Sequence, residues 1–134
     1  MQAEVLVAGE PTTGEALALT APISFWGGVD PVTGRIADPR HPQHGRSIAG
    51  RVLLVPATIG SSSASAVLLE LVHQNRAPAA IVLHEPDAIL LLGLIVAREM
   101  GHPTPIAVRL DRARFADLDD RTLRVSSSGL ILVD

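Results

Sequence analysis

From Gly50 to Leu110 the sequence alternates short, wholly apolar runs with two segments of helical spacing, which limits the chain to α/β architecture. Arg51–Val55 reads as a buried strand and 56–60 as a loop. A helix is expected from Ser61 to about Asn75, with Val67, Leu68, Leu71 and Val72 on one face. Ala79–Leu83 is the next strand. Asp87 is placed to cap a helix that runs to Met100 and stops at Gly101, and Ile106–Leu110 is a third strand. Strands joined through helices are parallel when the crossovers are right-handed. Arg112–Leu118 reads as a short helix, and Thr122–Val125 with Leu130–Val133 as a closing pair. Near the N-terminus, Ala3–Ala8 and Ala16–Thr20 flank a Gly/Pro-rich connection, which predicts a hairpin. The sum is one domain over residues 1–134, a compact sheet or barrel with two main helices.

Composition narrows the function classes. With 47% hydrophobic and 19% charged residues, a packed globular fold is expected rather than disorder. Phe25, Trp26 and Phe115 are the only aromatics, too few for a base-stacking platform. A formal net charge of -3 without a basic run argues against a nucleic-acid or membrane footprint. Cysteine is absent, so thiolate nucleophiles, disulfides and thiolate-bound clusters cannot belong to this chain. The first residues lack the basic and apolar regions of a secretion signal. The longest apolar run, Ala88 to Ala97, falls short of the about 20 residues that span a bilayer. A cytoplasmic location is expected.

Residues 21–50 hold Pro22, Pro31, Pro39 and Pro42 together with Gly27, Gly28, Gly34, Gly45 and Gly50. An irregular stretch of this length in a compact domain is usually functional, and Phe25 and Trp26 argue that this one packs onto something. Gly28, Asp30 and His44 are its candidate substrate contacts, with docking onto a partner as the competing use. Asx turns account equally well for Asp30 and Asp38. His41 and His44 are spaced three apart near Asp38, but Pro42 between them disfavours a paired metal site, and hydrogen bonds that order the loop are the preferred use. No metal ligands are assigned. His73, His84 and His102 are expected to be surface or satisfied side chains.

The segment from Pro56 to Ser65 is the most informative about chemistry. A strand ends, Gly60 permits a tight backbone, and Ser61, Ser62 and Ser63 open a helix whose free N–H groups and dipole favour an anion. A serine there could act as a base, or it could merely cap the helix. The pattern lacks the lysine of a phosphate-binding loop and the flanking glycine of a nucleophile elbow.

Phe25-Trp26-Gly27-Gly28-Val29-Asp30-Pro31-Val32-Thr33-Gly34, Asp38–Gly45, Gly60-Ser61-Ser62-Ser63 and Ala79–Leu83 together resemble the small subunit of the aconitase X family, in order and across almost the whole chain. The resemblance implies the swivelling β/β/α domain of the aconitase superfamily. It also implies a large-subunit partner that holds an iron–sulfur cluster or metal ion, with no cofactor on this chain. The implied reaction is dehydration of a hydroxy acid, with the family's serine base falling on Ser61. Many relatives resemble Gly-Arg-Gly-Ser before the helix, whereas this chain has Thr58-Ile59-Gly60-Ser61.

Eliminating water requires a base for a weakly acidic α proton, stabilisation of developing negative charge, and help for a poor leaving group. Under this resemblance Ser61 takes the proton, the N–H groups of Ser62 and Ser63 hold the substrate carboxylate or the alkoxide, and the large subunit supplies the acid. The chain alone is then inactive. Bacterial relatives resemble cis-3-hydroxy-L-proline dehydratases, and archaeal ones mevalonate 5-phosphate dehydratases. An all-Arg, Ala-rich composition and the missing Arg favour hydroxyproline. The competing reading is a non-catalytic binding or regulatory module that keeps the fold.

Overall fold

The computed structural model describes residues 1–134. Seven strands form one mixed sheet: β1 (Glu4–Val7), β2 (Thr12–Ala18), β3 (Val52–Val55), β4 (Ala80–Leu83), β5 (Ile106–Arg109), β6 (Thr122–Val125) and β7 (Ile131–Val133). Four short α-helices accompany them: α1 (Phe25–Gly28), α2 (Ala64–His73), α3 (Ala88–Glu99) and α4 (Phe115–Leu118). The strand order is β1-β5-β4-β3-β2-β6-β7. β2, β3, β4 and β5 run parallel, whereas β1, β6 and β7 are antiparallel to their neighbours.

The burial pattern explains why the central strands are apolar throughout. Val52, Leu54, Ala80, Val82, Ile106 and Val108 face an inner core with Leu123, Val125 and Ile131, and Phe115 and Leu118 of α4 fill it. Leu53, Val55, Ile81, Leu83 and Ala107 face the opposite way, under α2 and α3. A parallel sheet covered on both faces requires such continuous runs. β2 divides its work. Thr12–Glu15 pairs with β6 and is partly exposed, and Ala16–Ala18 pairs with β3 and is buried.

The outermost strands meet through the N-terminal residues. Ala3 N donates to Gly129 O at 2.9 Å, Ile131 N donates to Met1 O at 2.8 Å, and Gln2 bridges Leu130. The sheet therefore curls into a half-barrel, in agreement with a swivel-type β/β/α fold.

The expected N-terminal hairpin does not form. β1 pairs with β5 and β2 with β3 and β6, so the two lie on opposite flanks of the parallel core. The Gly9–Pro11 connection crosses the sheet end instead, where Glu10 bridges Pro105. A Cβ on Gly9 would overlap the Ile106 amide nitrogen, so glycine is required there by the close approach of two backbones.

Segment 21–50 is irregular yet well packed. Ile23, Phe25, Val29, Ile36 and Ile48 are all buried in the outer core beside α2. Backbone bridges Val29↔Ile36 and Arg35↔Ser47 hold it in place of regular strands. No helix in the chain is long and apolar enough to cross a membrane.

Candidate active site

In parallel sheets, ligands gather where strands end and helices begin. Here the carboxyl ends of β2, β3, β4 and β5 share one edge, and the serine segment lies on it. After Val55 the chain turns through Pro56 and runs beside the start of the long segment: Ile23 N donates to Ala57 O at 3.2 Å and Ile59 N donates to Ile23 O at 2.9 Å. Thr58 Oγ1 donates to Asp87 Oδ2 at 2.7 Å. The other Asp87 oxygen accepts from Leu90 N at 3.0 Å and so caps α3 as expected. The loop before the serines is thus tied on one side to segment 21–50 and on the other to α3.

Helix α2 begins at Ala64, later than the sequence spacing indicates, because Ser61–Ser63 form a turn that leads into it. Ser61 Oγ accepts from Ser63 N at 3.2 Å, and Ser61 O accepts from Ala64 N at 3.1 Å. Ser65 Oγ donates to Ser62 O at 3.3 Å. Ser61 is half-buried, whereas Ser62 and Ser63 are exposed. Of the two amides expected to meet a substrate, that of Ser62 is open whereas that of Ser63 donates to Ser61 Oγ. The amides of Gly60 and Ser61 likewise donate to no protein atom. A serine hydroxyl accepting an N–H bond at a helix N-terminus, beside further open donors, is an arrangement suited to negative charge.

The long segment delivers its candidates to different places. Gly28 is buried near Ile23, so it lies at the same end as the serine turn. Asp30 sits at the tip of a turn, where its Oδ1 accepts from Val32 N at 2.9 Å. That tip reaches past the other end of α2, since a Cβ on Gly34 would lie 3.1 Å from Arg76 O. Ten residues of helix, about 15 Å, separate Asp30 from Ser61. His44 is exposed on a turn anchored to the carboxyl end of β2, where Gln43 Nε2 donates to Ala18 O at 2.7 Å and Gln43 Oε1 accepts from Thr20 N at 3.0 Å. His41 is buried and its ring is fully used. Nε2 lies 3.2 Å from Ala21 O, and Nδ1 accepts from Gln43 N at 3.0 Å.

Three residues on the same sheet edge escaped the sequence reading as a group. His84 N donates to Val55 O at 3.1 Å, and its carbonyl accepts from Arg109 Nε at 3.0 Å. Its ring Nδ1 accepts from Arg112 N at 3.0 Å. His84 thereby laces together the ends of β3, β4 and β5. Asp111 beside them is held below its ordinary 3.8, first by the Ala113 amide it accepts and then by the nearby His84, Arg109 and Arg112. Pro56, Arg112, Phe115 and Asp119 line a shallow cavity on this edge. Only the tertiary fold makes these residues neighbours. The one sequence signal was that His84 directly follows β4 and Arg109 ends β5, with Arg112 three residues further on.

The donor set does not suit a resident metal or cluster. There is no cysteine, and no three His, Asp or Glu side chains converge.

The aconitase X swivel-domain family matches residues 1–133. The chain belongs to this family. A cis-3-hydroxy-L-proline dehydratase from Pseudomonas aeruginosa is 52% identical over 103 residues, which cover 76% of this chain and 18% of that protein. The phosphomevalonate dehydratase small subunit of Methanothermobacter thermautotrophicus is 48% identical over 84 residues, 63% of this chain and 64% of the relative. The holo-form crystal structure of Thermococcus kodakaraensis aconitase X superposes with a TM-score of 0.85 at 30% identity, over 100% of this chain and 98% of that one. The swivel domain therefore spans under two thirds of the length of these two sequence relatives, and less than a fifth of the Pseudomonas one.

Proposed function

We propose that this swivel domain is the small subunit of a two-subunit hydro-lyase and that Ser61 is its base. The observation that carries the reading is the Ser61 hydroxyl at the N-terminus of α2, accepting from Ser63 N with the amides of Gly60, Ser61 and Ser62 open beside it. Deprotonated Ser61 would be stabilised by the Ser63 N–H and the helix dipole, and the open amides would hold the substrate carboxylate. The Ser61 alkoxide would then take the proton α to that carboxylate and become a hydroxyl, while the hydroxyl group on the adjacent carbon departs, as water once protonated, and a carbon–carbon double bond forms. The cluster or metal ion that assists departure of the hydroxyl group is assigned to the large subunit, because this chain offers no ligand set for it.

The preferred substrate is cis-3-hydroxy-L-proline, whose dehydration gives pyrroline-2-carboxylate. The serine loop supports this choice: Ile59, which is 56% exposed, stands immediately before Gly60-Ser61 and presents hydrocarbon where a phosphate would call for a cation. The 52% identity to the Pseudomonas dehydratase points the same way. Mevalonate 5-phosphate remains the second reading, on the strength of the 48% identity to the Methanothermobacter subunit.

The test is anaerobic turnover by the complex of this chain with its large subunit, with each substrate in turn. Activity on hydroxyproline is expected from the complex and from neither subunit alone. Ser61→Ala should lower kcat by about 10²–10⁴-fold, the usual contribution of a positioned base. Near-normal turnover by that variant would remove Ser61 from the mechanism, and a fully active isolated chain would contradict the two-subunit site. No turnover of either substrate by a metal-loaded complex would favour the non-catalytic module.

A further inference from the structure

Trp26 is the only tryptophan in the chain and is 61% exposed, although Phe25 next to it is 1% exposed. It does not sit on a loose loop. Ser24 Oγ donates to Trp26 O at 2.9 Å, Phe25 anchors the turn in the outer core, and Gly27 turns the chain with φ of 77°. The indole has no aromatic or cationic partner within the chain. A rigid backbone therefore presents a large apolar ring to solvent, where burial of such a ring would ordinarily add to stability.

Its position is specific. The parallel bridge between Ile23 and Thr58 sets the two backbones side by side, about 4.8 Å apart. Both segments leave the bridge in the same direction. Three residues beyond Ile23 is Trp26, and three residues beyond Thr58 is Ser61. Ile59, the residue after Thr58, is a second exposed apolar side chain in these paired segments. The Ser61 hydroxyl and the open amides thus share this end of the sheet with two exposed apolar side chains, Trp26 and Ile59.

We propose that Trp26 is a substrate-binding residue whose indole face receives the ring of a cyclic secondary amino acid. This inference rests on the hydro-lyase reading of Ser61 and deepens it. At neutral pH such a substrate carries a carboxylate and a secondary ammonium on a small hydrocarbon ring. The amides at the start of α2 suit the carboxylate. The indole suits what remains, because its π face attracts the ammonium and its apolar surface accepts the ring carbons. An acyclic phosphorylated acid has no cation to offer and gains nothing from that face. Trp26 and Ile59 together would therefore select for a cationic, unphosphorylated substrate.

The experiment uses the complex of this chain with its large subunit. The small subunit is labelled with 5-fluorotryptophan, so its single indole gives one ¹⁹F resonance, and turnover of cis-3-hydroxy-L-proline is measured on the same preparation. The resonance is expected to shift on addition of hydroxyproline to the assembled complex. Trp26→Ala should raise KM about 10-fold with kcat within a few-fold, and Trp26→Phe should recover most of the loss. A resonance that moves on assembly but not on substrate addition would make Trp26 a subunit contact and overturn the proposal. So would an unmoved resonance, or an unchanged KM in Trp26→Ala. If the wild-type complex does not turn over hydroxyproline, the hydroxyproline assignment falls and this inference with it; if it does and Trp26 is insensitive, only this inference falls.

Discussion

The Thr58 hydroxyl donates a 2.7 Å hydrogen bond to the Asp87 carboxylate, joining the segment that precedes the serine turn to the start of α3. Asp87 serves two purposes at once, since its second oxygen caps the helix through Leu90 N. Asp87→Ala should cost the cap, about 1–2 kcal/mol, and lower Tm by several degrees. Thr58→Val removes only the tether and leaves the cap in place. It should cost about 1 kcal/mol or less, yet lower kcat of the complex severalfold because the serine turn loses a fixed neighbour. Thermal unfolding and steady-state turnover on both variants separate the two effects. Equal activity loss per degree of Tm in both would show that the tether matters for stability alone.

The contact between α2 and α3 carries a second prediction. A Cβ on Gly93 would overlap the Ser65 carbonyl oxygen and approach Leu68 Cβ to 3.2 Å. Neither neighbour is a flexible side-chain end, so Gly93→Ala must push the helices apart, at about 1–3 kcal/mol. The displaced partner is the first turn of α2, which begins three residues after Ser61 and is joined to it by the serine turn. Activity should therefore fall by more than the folded fraction at the assay temperature accounts for. Denaturant midpoints and kcat measured together check this, and full specific activity in the folded fraction would show that the serine turn does not follow the helix.

The parts of this molecule that were legible in the sequence are those determined locally. β3, β4 and β5 are apolar on both faces, and nothing but a doubly covered strand fits runs such as Val52–Val55. Asp87 and Gly101 announce the ends of α3 by cap chemistry that involves only nearby backbone. Ser61 stood out because a glycine and three serines between a strand and a helix form a local pattern. Partner choice between strands is a different matter. The Gly9–Pro11 turn residues suited a hairpin, but β1 and β2 find their neighbours in β5 and β3, a decision made by the curl of the whole sheet. The same holds for the His84, Arg109 and Arg112 cluster, whose members are brought together by parallel strand register. Asp30 shows the reverse error of proximity. Its motif is adjacent in sequence to Gly28, yet the Val29↔Ile36 bridge carries it toward the far end of α2.

Asp111 gives the acid limb of stability a defined contributor. Its carboxyl is held below 3.8 by the Ala113 amide and by the cationic groups of the edge, so the folded state prefers it ionised. A depressed folded pKa contributes stability that is complete above the unfolded value. That contribution is lost as pH falls from about 3.8 through the lower folded pKa. Asp111→Asn cannot ionise, so its stability should show a weaker decline over this range while matching the wild-type slope at neutral pH. Urea unfolding at a series of pH values below 5 measures both. Parallel curves for the two proteins would place the acid sensitivity in other carboxylates.

Ile59 is the position at which substrate charge should be decided. Its side chain is 56% exposed and its backbone is fixed by the bond from Ile59 N to Ile23 O, so a new side chain can be carried there without disturbing the core. Ile59→Arg would place a guanidinium two residues before Ser61, and arginine binds phosphate through paired, charge-assisted hydrogen bonds. Stability should change by less than about 0.5 kcal/mol, as for other exposed substitutions. The kcat/KM ratio for mevalonate 5-phosphate over cis-3-hydroxy-L-proline should rise by about 10-fold or more, chiefly through KM, with added salt reducing the gain. If turnover of hydroxyproline falls and no phosphorylated substrate improves, Ile59 contributes only apolar contact. A ratio that stays constant while both activities fall equally would remove this position from substrate selection.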